Sequence, residues 1–93
     1  MTTVIKRGGK RQNFMPSKIK NSIRGAAKQA GFSRTKIENL VKDVGDGVID
    51  FFKKKRVVKS TVLRKSILGR LERKSKAAAR EWKRFEKRKS GKF

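Results

Sequence analysis

The apolar residues of this chain fall into two spacings, a short one near the start and a helical one over most of the rest. Residues 3–7 (TVIKR) and 10–14 (KRQNF) flank Gly8-Gly9, a dipeptide that supplies the positive φ angles of a two-residue turn, so the pattern predicts a β-hairpin. Pro16 suits the first turn of a helix, where its missing N–H costs nothing. Ile19, Ile23, Ala26, Ala27 and Ala30 then recur at helical spacing until Gly31, which predicts a first helix over about 16–30.

A second helix follows Phe32. Ser33 or Thr35 can cap it, and Thr35 with Glu38 has the T-x-x-E spacing of a capping box. Ile37, Leu40, Val41, Val44, Val48, Phe51 and Phe52 line one side of it to about residue 53. Gly45 and Gly47 each cost about 1 kcal/mol against Ala inside a helix, so close packing or a bend is expected there. The run "KKKRVVKS" breaks the pattern, and Ser60 can cap a third helix carrying Val62, Leu63, Ile67, Leu68 and Leu71 to about residue 74. Ser75 starts a fourth, with Ala78, Ala79, Trp82 and Phe85 on one face. The fold class expected is α+β: an N-terminal hairpin followed by a bundle of about four helices. Residues 1–89 are read as one domain, with 90–93 as a frayed basic tail. The aromatic side chains Phe14, Phe32, Phe51, Phe52, Trp82 and Phe85 are expected in the core; Trp82, among Arg80, Lys83 and Arg84, is the exception that can stack on a base.

Charge changes this picture. Of 93 residues, 34% are hydrophobic and 39% charged, and 29 Lys and Arg against 7 Asp and Glu give a net charge of +22. Solubility asks for a magnitude of only about 2 to 8 in a small domain, and the surplus repels itself in the compact state. A polyanionic partner follows, with nucleic acid ahead of an anionic membrane surface or an acidic protein. The surplus sits at the two ends: residues 1–20 hold six basic and no acidic side chains, residues 21–52 five and four, and residues 53–93 eighteen and three.

Cys and His are both absent, which excludes disulfides, thiolate nucleophiles, imidazole bases and the usual zinc ligand sets. Asp43, Asp46 and Asp50 share one helix face, and with no His beside them they are read as partners for surplus Lys and Arg, in cis or from a neighbouring copy, rather than as a metal site. No apolar run approaches the roughly 18 residues of a membrane span, and no signal-peptide core opens the chain, so a cytoplasmic or nucleoid location is expected. With no nucleophile and base pair, an enzyme is not expected.

Two sets of cations carry candidate chemistry. Lys6, Arg7, Lys10 and Arg11 crowd the hairpin turn, where the plain reading is a solvated edge blunted by charge. Lys18 lies one turn past the start of the first helix, near its positively polarised end, an arrangement suited to phosphate. The runs 53–56 (Lys53, Lys54, Lys55, Arg56), 73–76 (Arg73, Lys74, Lys76) and 80–89 (Arg80, Lys83, Arg84, Lys87, Arg88, Lys89), with Lys10 and Arg11, are the candidate nucleic-acid surface. No pattern of Asn, Gln and Arg is legible enough to name bases.

The opening V-x-K-R-x-G, a Phe with a Lys four residues on, the "KS" that opens the third helix and the Ala-Ala-Arg of the fourth resemble the ATP-cone family. That family is the small nucleotide-binding regulatory module at the N-terminus of ribonucleotide reductase large subunits and in their transcriptional repressor. The similarity runs from Val4 to about Phe85. It implies that hairpin and first helix cradle the triphosphate of ATP or dATP. By position, Lys6, Arg7 and Lys18 would meet phosphates, while Val4 and the run Gln12, Asn13, Phe14 to Lys18 would line the nucleotide. Ser60 sits where the family often has a Thr or Ser near the nucleotide, and Arg64 lies one turn later. Gly8 replaces the Asp of the usual K-R-D-G, and Met15-Pro16 stands where an Asp commonly caps the first helix.

The resulting expectation is a stand-alone, non-enzymatic ATP- or dATP-binding module, without a metal of its own, that also binds DNA or RNA and can self-associate. The alternative keeps the fold as a nucleoid- or ribosome-associated protein whose former phosphate cradle holds a nucleic-acid backbone. A third reading is a regulatory subunit that docks an acidic enzyme.

Overall fold

The computed structural model describes residues 2–88, with side chains through Glu86. Lys89 and the expected tail, 90–93, lie outside the described residues. The α+β expectation holds, with one strand added.

Strands β1 (Thr3–Ile5) and β2 (Arg11–Asn13) pair antiparallel, Val4 opposite Gln12. The Lys6 N–H donates to the Lys10 carbonyl at 2.7 Å and the Gly9 N–H to the Lys6 carbonyl at 3.0 Å. The loop is therefore Arg7-Gly8-Gly9, three residues rather than the expected two. Gly8 and Gly9 take φ of +86° and +85°, which residues with a Cβ adopt only at a cost. On the other side of β1 lies β3 (Val57–Lys59), parallel to it, with Thr3 opposite Val57 and Val4 opposite Val58. The strand order is β2-β1-β3. The run read as a simple break thus contains the third strand.

Thr2 fastens that strand. Its buried hydroxyl reaches the carbonyls of Lys55 at 2.7 Å and Phe52 at 3.1 Å, and the neighbouring Thr3 N–H donates to the Arg56 carbonyl at 2.9 Å. Thr2→Val keeps the shape and removes the donor, so it is expected to lower stability by about 1 to 3 kcal/mol. An unchanged urea midpoint would show that the clamp plays no part.

Helix α1 (Pro16–Gln29) ends before Gly31, which has φ +83°. The second helical path is continuous but has three parts: α2 (Arg34–Leu40), a π-helical turn (Val41–Gly45) and α3 (Asp46–Phe52). Ser33 caps it, accepting from the Lys36 N–H at 3.3 Å. The Thr35–Glu38 box is not used; Glu38 instead binds Arg24 of α1 through both oxygens, at 3.0 and 3.1 Å. Those hydrogen bonds hold the Glu38 carboxyl below its ordinary range and raise the Arg24 guanidinium. This α1–α2 tie is therefore in place above the ordinary carboxylate range and is released as acid protonates Glu38. Gly45 lies in the π turn, where a Cβ would come 3.2 Å from Lys20 Cγ and 3.8 Å from Ile23 Cδ1. Close packing on α1 is thus its reason.

Helices α4 (Ser60–Lys74) and α5 (Lys76–Arg88) complete the bundle. Ser75 caps α5 as expected, accepting from the Ala78 N–H at 3.2 Å. Ser60 does not cap α4: Lys59 holds the cap position, and Ser60 is the first helical residue, with its side chain buried. The core centres on Ile19 and Ile23 of α1, Val44 and Val48 of the π turn and α3, and Leu63, Ile67 and Leu71 of α4. Helix α5 closes it with Ala78, Ala79 and Trp82, packed on α1 and α4.

Trp82 is 3% exposed, which overturns its reading as a stacking platform. Its indole N–H donates to Ser22 Oγ at 3.2 Å, and that hydroxyl donates to the Ile19 carbonyl at 2.7 Å. Phe52 is buried, and Phe14 and Phe32 pack partly buried against the core. Phe85 is half-buried. Phe51 corrects the other way, at 51% exposed. Adjacent helical residues point about 100° apart, and at this end of α3 Phe52 takes the inward direction while Phe51 is left outside.

A candidate nucleotide groove and a basic surface

The hairpin and α1 meet at a shallow, partly open groove whose cavity is only about 10 Å³. It is lined by Val4 of β1, Gln12 and Asn13 of β2, Phe14 and Met15 of the connection, and Lys18 of α1, with Ile19 and Leu63 also bordering it. Register explains part of this grouping. Val4 and Gln12 are directly paired, so both side chains leave the same face of the sheet. That face is the one turned to the helices, since Val4 is buried there.

The start of α1 gives the groove its electrostatics. Met15 occupies the cap position with no side-chain hydrogen bond, Pro16 follows it, and the first turn holds no acid. The helix thus presents its positively polarised end without a resident carboxylate, and Lys18 adds a full charge one turn in. An anion can take the place that an Asp cap would hold.

Five of the nine residues expected to touch nucleotide, Val4, Gln12, Asn13, Phe14 and Lys18, line this one groove. Lys6 and Arg7 stand beyond it, at the hairpin loop, Lys6 partly covered and Arg7 exposed. Ser60 and Arg64, in the first turns of α4, are not among the lining residues. Arg64 turns to α5, where its guanidinium lies 3.5 Å from the buried carboxylate of Glu86. Met15 falls within the run 12–18 expected to line the nucleotide, whereas Leu63 was missed as a lining residue. Leu63 sits on the apolar stripe of its helix, and nothing in that stripe distinguishes a residue under a groove from one under another helix.

The acidic side chains are largely spent inside the chain. Lys20–Asp46 and Lys53–Asp50 close at 3.1 Å, Arg24–Glu38 at 3.0 Å, Arg84–Glu81 at 3.4 Å and Arg64–Glu86 at 3.5 Å. Two of the three aspartates on the second helical path therefore find partners in cis. Among the described residues no group of carboxylates is arranged to hold a metal ion, and no helix is long and apolar enough to cross a membrane.

The candidate nucleic-acid residues with described side chains lie in four exposed places. Lys10 and Arg11 are on the hairpin, Lys53, Lys54, Lys55 and Arg56 form the corner between α3 and β3, and Arg73 and Lys74 end α4. Lys76, Arg80, Lys83 and Arg84 follow as an exposed stripe along α5. Lys87 and Arg88 fall in the last turn of that helix, and their side chains lie outside the described residues.

A model of the ATP cone domain family matches residues 2–88. The chain belongs to the ATP-cone family. ATP-cone domains are regulatory rather than catalytic, and they bind ATP or dATP as allosteric effectors. A search of curated proteins finds no match to the chain.

Proposed function

We propose that this ATP-cone binds ATP or dATP in the groove between hairpin and α1, and binds nucleic acid through its basic surface, with nucleotide regulating assembly on the polyanion. The observation that carries the nucleotide half is the convergence of Val4, Gln12, Asn13, Phe14 and Lys18 on one groove at an uncapped helix start. Phe14 and Val4 supply apolar contact for a base, Gln12 and Asn13 supply amide donors and acceptors, and Lys18 faces phosphate. The hairpin cations Lys6 and Arg7 extend the positive field along the direction a triphosphate would run. The charge of +22, with at least five of seven acids already paired in cis, supports the nucleic-acid half.

Calorimetric titration with ATP and dATP at about 150 mM salt, where charge attraction is screened beyond about 8 Å, tests the groove. Saturable, purine-selective binding is expected, and Lys18→Ala should weaken it by about ten- to hundredfold, the loss of one charge-assisted contact. Weak, base-indifferent binding that salt erases would instead favour a nucleic-acid-binding protein on a degenerate cone. That second reading has its own observation: the cavity within the groove is only about 10 Å³, far below the roughly 300 to 1,000 Å³ usual for small-molecule sites.

A further inference from the structure

Among the described residues one large aromatic ring stays exposed outside the core, and it precedes a run of four consecutive cations. Phe51, at the end of α3, is 51% exposed, and Lys53, Lys54, Lys55 and Arg56 follow it, all exposed. A single exposed apolar side chain is ordinary. This one is held in position: its ring meets that of buried Phe52 edge-on, with centroids 4.9 Å apart and planes at 86°. Lys55 Nζ stands over the ring, 5.3 Å from its centroid.

The backbone that carries the cations is fixed as well. Thr2 and Thr3 bind the carbonyls of Phe52, Lys55 and Arg56, and the Lys55 N–H donates to the Phe52 carbonyl at 2.9 Å. With its carbonyls turned to the sheet, this corner projects its side chains from a rigid support. Asp50 neutralises Lys53 at 3.1 Å. Among the described residues no carboxylate does the same for Lys54, Lys55 or Arg56, so three uncompensated charges follow the exposed ring within five residues.

We propose that Phe51 and the corner 53–56 form a site for single-stranded nucleic acid, in which one unpaired base stacks on Phe51 while flanking phosphates meet Lys54, Lys55 and Arg56. The proposal rests on the nucleic-acid half of the function above and narrows it to one surface and one form of the polymer. A ring amid cations is the combination that unpaired strands use, since every base has a face to stack and a backbone to neutralise. In a duplex both faces of each base are already covered by neighbours, and the cations alone would serve. The exposed stripe on α5 shows the contrast, because Lys76, Arg80, Lys83 and Arg84 are exposed while the tryptophan of the same helix is buried in the core. That surface offers charge without a stacking platform.

Fluorescence anisotropy at one fixed salt concentration tests the site with three probes of equal length: a thymidine oligonucleotide, an abasic phosphodiester strand and a duplex. The wild-type chain is expected to bind the thymidine strand about five- to hundredfold more tightly than the abasic one, the range for stacking of a base. Phe51→Ala should remove that advantage while leaving the salt dependence unchanged, because no cation is lost, and Phe51→Trp should retain it. Circular-dichroism melting checks that both variants fold. Equal affinities for base-bearing and abasic strands, or no difference between wild type and Phe51→Ala, overturn the proposal while leaving polyanion binding intact. Failure of the wild-type chain to bind any of the three probes removes the nucleic-acid reading itself, and the site with it.

Discussion

Between about 50 and 200 mM salt, the affinity of this chain for nucleic acid is expected to fall by about 10³- to 10⁵-fold, the loss that accompanies neutralisation of six to ten phosphates. The number of exposed cations on the hairpin, the 53–56 corner and α5 is sufficient for a contact of that size. Titration of the equilibrium constant against salt on logarithmic axes should give a slope of about −5 to −9 for duplex DNA. A slope near −1 would mean that the excess charge serves something other than a phosphate backbone. The free protein should respond in the opposite sense. Its like charges repel one another, screening relieves the repulsion, and the melting temperature should rise over the same range of salt.

The second large effect concerns the residue beneath the groove. Leu63 is 1% exposed and borders the space between hairpin and α1, so Leu63→Ala removes core contacts and opens the groove floor together. A loss of about 2 to 5 kcal/mol is expected, from a total of about 5 to 15 in a natural domain. With each kcal/mol worth about 4 to 8 °C in a domain of this size, melting should fall by at least about 8 °C. Val62, its neighbour on α4, is 49% exposed, and Val62→Ala should change stability by no more than about 0.5 kcal/mol. Comparable melting of the two variants would contradict the core that places Leu63 under the groove.

The helices were readable because their apolar residues keep one period over ten or more positions and their starts carry usable caps, as Ser75 shows. Strand β3 was not, because three residues give no period and its two valines stand among lysines and arginines. Its pairing is decided across the chain, by β1, and no local pattern records that. The π turn escaped for a related reason: it uses the same residue types as an α-helix, and only the approach of Lys20 and Ile23 to Gly45 sets it apart. Phe51 and Phe52 are chemically identical, and which of them turns inward depends on helix phase at the end of a path that a π turn has already shifted. At the candidate site the strand residues and Lys18 were legible as chemistry, through the uncapped start of α1 and the resemblance that accompanied it. Thr2 was invisible, since a threonine at the edge of a chain resembles any other until the carbonyls it binds are in place.

The parallel pairing of the first strand with the third has a consequence for the order in which the molecule is made. Thr3 is synthesised well before its partner Val57, which is joined to the chain only after the hairpin and the first two helical paths have been made. Until then the outer edge of β1 has bare amides and carbonyls, and Leu63, still later, is missing from beneath the groove. A nascent chain halted before residue 57 would therefore carry the hairpin and its cations without the floor of the groove beside them.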